Sequence, residues 1–101
     1  MAELLDDDAI AAGLRGRDWT RQGPAITTTV VRKDFAAAMV FVNQVAELAE
    51  ARNHHPDIAI SWNKVTLTLS THSEGGVTAK DFSMARQCSA IFARHSGRPA
   101  R

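Results

Sequence analysis

Ile58-Ala59-Ile60-Ser61-Trp62-Asn63-Lys64-Val65-Thr66-Leu67-Thr68-Leu69-Ser70-Thr71 carries two runs of β-forming residues around one asparagine. Val65, Leu67 and Leu69 alternate with Thr66, Thr68 and Ser70, the two-residue period of a strand with one buried and one polar face. With only Asn63 between them, residues 58–62 and 64–71 have no room for a crossover, so they pair antiparallel.

Working outward, residues 19–31 contain a second hairpin. Gly23-Pro24 marks its turn, and the β-branched run from Ile26 through Thr27, Thr28, Thr29 and Val30 favours a strand. Between the hairpins, residues 32–53 read as a long helix. Phe35, Met39, Val42, Ala46 and Ala49 form one apolar stripe, and Ala38, Phe41, Val45 and Leu48 form a second beside it. So broad a face predicts packing on a sheet, with contact to another subunit along the second stripe. Pro56 is expected to stop this helix, with His54 in or near its last turn.

Residues 5–14 are expected as a short helix with Asp6, Asp7 and Asp8 in its first turn. Thr78-Ala79-Lys80-Asp81 fits a capping box with Asp in the Glu position. It opens a last helix over residues 78–95, whose inner face is Phe82, Ala85, Cys88 and Phe92, with Met84 and Ile91 at its flank. The order is α-β-β-α-β-β-α, which predicts an α+β fold: a four-stranded antiparallel sheet with helices packed on one face. One domain over residues 1–96 and a mobile tail over residues 97–101 complete the expectation.

Composition narrows the function classes. A net charge of +1 across 101 residues leaves no electrostatic footprint for nucleic acid. No apolar run approaches transmembrane length, and Asp6-Asp7-Asp8 is unlike a signal peptide, so no membrane association is expected. Cys88 is the lone cysteine; it suits a cytoplasmic location and reads as a small core residue.

Chemistry concentrates in the histidines. Three of the four lie in Asn53-His54-His55-Pro56-Asp57 and Ser70-Thr71-His72, on either side of the quoted strands. Imidazole changes charge near neutral pH, so this grouping suits general acid–base catalysis. Glu50 lies four residues before His54, which predicts that it orients that ring. Three imidazoles could also hold zinc and leave an open position. Adjacent histidines at a helix end diverge, however, and no metal-type His-x-His or His pair at i, i+4 is present, so no metal is assigned. A plain helix stop with exposed imidazoles is the third reading.

The ordered set Glu50, His54-His55-Pro56, Trp62-Asn63-Lys64-Val65, Ser70-Thr71-His72, Gly75-Gly76 and Asp81 resembles the pterin-4a-carbinolamine dehydratases, with similarity from about Leu14 to Ile91. Trp62 stands where many members have tyrosine. The resemblance implies a dehydratase acting on 4a-hydroxytetrahydropterin in tetrahydrobiopterin recycling, forming a homodimer or homotetramer and using no cofactor. It implies His54, His55 and His72 as the catalytic trio, with His55 as the main base and His54 or His72 as the acid. Ser70 and Thr71 would line the pterin pocket. Asp81 would stand near the site or only cap its helix, and Trp19 would stack on the pterin ring or anchor the core. Some relatives serve as dimerisation cofactors or assembly factors, so a noncatalytic partner-binding role is the alternative. A module of that kind would have no need to keep all three histidines and Glu50.

Overall fold

The computed structural model describes residues 3–95, the side chain of His95 excepted; the tail expected over residues 97–101 lies outside them. Helix α1 (Asp7–Leu14) starts one residue later than a first-turn aspartate trio requires, because Asp6 is its N-cap and accepts from the Ala9 N–H at 2.8 Å. Strands β1 (Thr20–Gln22) and β2 (Ala25–Val31) follow, then α2 (Phe35–Arg52), β3 (Asp57–Ser61), β4 (Lys64–Leu69), a 3-10 turn (His72–Glu74) and α3 (Ala79–His95). The order is the expected one.

All strand pairs are antiparallel, in the order β1-β2-β4-β3. The long pairing of β2 with β4 sets Ile26 against Leu69, Thr28 against Leu67 and Val30 against Val65, so these side chains share the helix-facing side. The opposite face carries a hydroxyl ladder, with Thr27 3.2 Å from Thr68 and Thr29 2.9 Å from Thr66. Cross-strand threonine pairs stabilise a face that none of the described helices covers. Both hairpin loops have two residues. Gly23 opens the first at φ 58, a conformation glycine adopts without steric cost. Trp62 opens the second at φ 52, so the loop is Trp62-Asn63 rather than Asn63 alone.

The core lies between the sheet and the helices. Leu67 and Leu69 meet Phe41 and Val45 of α2 and Met84 and Cys88 of α3, all essentially without exposed surface. Phe41 and Phe92 cross edge-to-face at 6.0 Å. On α2 the buried stripe is Ala38, Phe41, Val45 and Ala49, with Leu48 and Val42 half-buried. The second stripe is thus core, and it does not form the subunit contact suggested for it; Phe35 of the first stripe is exposed. On α3, Met84 and Ile91 are buried and Phe92 takes the flank.

Helix α2 ends at Arg52, before the influence of Pro56. Asn53 adopts the left-handed conformation (φ 52) and the His54 N–H bonds the Ala49 carbonyl at 3.1 Å. Asparagine tolerates this turn better than most residues. His54 is therefore off the helix, which decides its partner below.

Candidate active site

Four segments carry the sequence-derived residues other than Trp19, and contacts with Asp81 join three of these segments at one end of the fold. The last turn of α2 carries Glu50, the loop into β3 carries His54 and His55, the end of β4 leads into Ser70, Thr71 and His72, and the first turn of α3 carries Asp81.

The left-handed Asn53 rotates the chain, so His54 leaves the Glu50 face. Its Nε2 meets Asp81 Oδ1 at 2.7 Å, while Glu50 Oε2 meets His55 Nε2 at 2.7 Å. This corrects the expected Glu50–His54 pairing, which assumed unbroken helical spacing. The two pairs differ in environment. The Asp81 side chain has no exposed surface and that of His54 has 14%, whereas those of His55 and Glu50 are exposed to 54% and 79%.

Asp81 is satisfied on both oxygens. Oδ2 accepts the Thr71 hydroxyl at 2.8 Å and the Thr78 backbone N–H at 2.9 Å. Thr71 has one hydroxyl proton, and an ionised carboxylate can only accept. The 2.7 Å contact between Thr71 Oγ1 and Thr78 Oγ1 is then donated by Thr78, whose oxygen in turn accepts the Lys80 N–H at 3.2 Å. A one-way chain of donors ends on the carboxylate. It fixes the Asp81 rotamer and so the orientation of His54.

The expectation that Asp81 caps its helix and the expectation that it serves the site describe its two oxygens separately. Thr71 is correspondingly buried, at 4% exposure, and its hydroxyl is committed to Asp81 rather than presented to a ligand. Thr78 was not anticipated as a site residue; the capping box Thr78-Ala79-Lys80-Asp81 was its signal. His72 opens the 3-10 turn, exposed, and its ring has no hydrogen-bond partner among the described residues. Ser70 is half-buried beside Thr71.

Trp19 is not brought to this end. It is 3% exposed, and its Nε1 donates to Ser89 Oγ at 3.1 Å. Ser89 lies eight residues beyond Asp81 on α3, about 12 Å along the axis, so Trp19 takes the role of hydrophobic anchor. Trp19 also borders a cavity of about 940 Å3 with Thr28, Val30, Cys88 and Phe92, but no histidine lines it. Both short imidazole–carboxylate contacts lie outside that cavity. Burial pushes the Cys88 thiol up to about 12, so it is a packing group and not a nucleophile. Among the described residues no three His, Cys, Asp or Glu side chains converge as metal ligands, and no helix is long and apolar enough to cross a membrane.

Residues 3–91 match the family model described as pterin 4 alpha carbinolamine dehydratase. A Nocardia farcinica protein provisionally named as that dehydratase is 54% identical over 86 residues, covering 84% of this chain and 90% of its own. A Roseiflexus castenholzii protein with the same provisional name is 52% identical over 93 residues, covering 91% of this chain and 100% of its own. The crystal structure of a Brucella melitensis protein described as a transcriptional coactivator/pterin dehydratase superposes with a TM-score of 0.84 at 39% identity, covering 88% of this chain and 98% of the other.

Proposed function

The chain belongs to the pterin 4 alpha carbinolamine dehydratase family, and on that premise we propose that it dehydrates a 4a-hydroxytetrahydropterin to the quinonoid dihydropterin. Hydroxide leaves C4a, a proton leaves N5, and together they make the water released. The step needs one group that protonates the departing hydroxyl and another that accepts the N5 proton. The observation that carries the proposal is the presence of two imidazole–carboxylate pairs at 2.7 Å, one sealed and one open to solvent.

In this reading His55 is the base. Glu50 holds its Nε2, which leaves Nδ1 to take the N5 proton. His72, with no competing partner among the described residues, protonates the leaving hydroxyl. His54 is held by Asp81 and fixes the substrate beside them, with Ser70 as a lining residue and Thr71 acting through Asp81. No cofactor takes part. Location in the cytoplasm fits the unpaired Cys88, and recycling of tetrahydrobiopterin is the process the reaction would serve. The exposed apolar side chains Val31, Phe35 and Val40 support a homodimer or homotetramer.

The competing reading, a noncatalytic dimerisation or assembly cofactor, draws on the description of the Brucella melitensis protein as a coactivator as well as a dehydratase. A binding module has no need for two imidazole–carboxylate pairs, so the enzyme is favoured. The test is to supply 4a-hydroxytetrahydropterin and follow the quinonoid product by absorbance. Dehydration no faster than in buffer refutes the enzyme. His55→Ala should lower kcat by about 10²- to 10⁴-fold with an unchanged far-UV spectrum; undiminished turnover would remove His55 from the role of base.

A further inference from the structure

Beside His54, residues of α2 and α3 line an open cavity of about 160 Å3, formed by Arg52, His54, Lys80, Ser83, Met84 and Gln87. Lys80, Ser83, Met84 and Gln87 are spaced three, four and seven residues apart from the first, so they share one face of α3. Met84 is the buried floor. The lining includes two permanent cations and no carboxylate. The nearest acid in sequence, Asp81, is fully buried with both oxygens committed to His54, Thr71 and Thr78.

The hydrogen bonds among these residues engage the Gln87 and Ser83 acceptors and leave several donors without a partner among the described residues. Gln87 Oε1 accepts from Arg52 Nη2 at 2.9 Å, and Gln87 Nε2 donates to the Ser83 carbonyl and hydroxyl oxygens at 3.4 and 3.3 Å. Ser83 is thus an acceptor in that chain, and its own O–H remains to be given. The rest of the Arg52 fork and the Lys80 ammonium, which has no ion-pair partner among the described residues, remain as well. A donor-rich, cationic space without a carboxylate suits an anion. Its volume is well under the roughly 300 Å3 of a pocket for a whole small molecule, so it suits a single substituent.

We propose that this cavity takes a phosphoryl or carboxylate group carried on the side chain of the substrate pterin. The substrate class is then a pterin with an anionic tail, the ring lying against His54 and the tail between Arg52 and Lys80. The position of the ring rests on the dehydratase reading; the anion site does not.

Two measurements separate the sources. Inorganic phosphate titrated into isotope-labelled protein should shift the Arg52, Lys80 and Ser83 signals saturably. Arg52→Gln/Lys80→Gln should weaken that binding about tenfold or more, and added salt should weaken it too. Both side chains are exposed, so the variant should fold. No saturable shift overturns the site. In turnover, a 4a-hydroxytetrahydropterin with a phosphorylated side chain should show a KM about tenfold below that of a neutral-tailed one, and the double variant should abolish the difference. Phosphate binding with equal KM values would overturn the substrate tail as the source and assign the cavity to free anion. If neither pterin is turned over, the dehydratase reading fails while the titration still decides the site.

Discussion

Asp81 is the residue on which most depends, because its carboxylate has no exposed surface and its two oxygens hold three hydrogen-bond partners from three segments. An asparagine keeps one acceptor and gains two donors. Placed there, it must face its NH2 either to the Thr78 N–H and Thr71 hydroxyl, which lose their acceptor, or to the His54 ring, which must then move its proton to Nδ1 to keep the contact. Asp81→Asn should therefore cost about 3 kcal/mol in urea unfolding and lower kcat by two orders of magnitude or more (about 10²- to 10⁴-fold). A residue that only capped α3 would cost about 1 kcal/mol and leave the rate intact, so the pair of measurements decides between the roles. Glu50→Gln should change stability by under about 1 kcal/mol, since that pair is exposed, while still slowing turnover. Cys88 gives a pH-dependent counterpart. Its thiol stays protonated in the fold up to about pH 12 but ionises from about pH 9 once unfolded, so the contribution is whole below pH 9 and declines above it. Cys88→Ala should flatten the fall in stability between pH 9 and 12, and native protein at pH 8 should resist iodoacetamide. The identities of these groups were legible in the sequence, but their pairing was not. Helical spacing put His54 over Glu50; a single left-handed asparagine moved it to Asp81, a long-range contact that no local pattern contains.

At the scale of elements, two backbone positions set signs that propensity alone would get wrong. Gly13 sits within α1, where alanine ordinarily gains up to about 1 kcal/mol. Here an added Cβ would fall 2.7 and 2.9 Å from the Phe82 ring. Phe82 is a buried anchor of α3, so Gly13→Ala should destabilise by about 1–3 kcal/mol; a gain would show that α1 can slide away from α3. Trp62 is the reverse case. It is 64% exposed and holds φ 52 in a two-residue loop, a conformation costing a side-chain-bearing residue roughly 1–2 kcal/mol. Trp62→Gly should raise the urea midpoint by the equivalent of about 0.5–1 kcal/mol. The hairpins themselves were legible because alternation and turn residues are local signals. The buried face of α2 was less so: the two adjacent stripes are both apolar, and only the direction of the sheet selects Ala38, Phe41, Val45 and Ala49.

For the molecule as a whole, the one-sided architecture leaves two very different surfaces. The open face of the sheet is lined by hydroxyls that bond one another across β2 and β4, so it needs no cover. The region where β2 runs into α2 is otherwise. Val31, Phe35 and Val40 are 55%, 50% and 48% exposed, with Ala36 and Ala37 on the same stretch of helix. A chain of 101 residues has little surplus burial of its own, and covering this patch with the same patch of a second copy is the symmetric solution. Sedimentation equilibrium should give an even multiple of the 11.0 kDa chain mass. Phe35→Glu with Val40→Glu should lower that mass at least twofold. Both side chains already face solvent, so the helix itself should survive, and far-UV dichroism checks that it does. If the double variant keeps the wild-type mass, the interface lies elsewhere. If wild type is monomeric at micromolar concentration, the patch is free for another protein, which would return weight to the partner-binding reading.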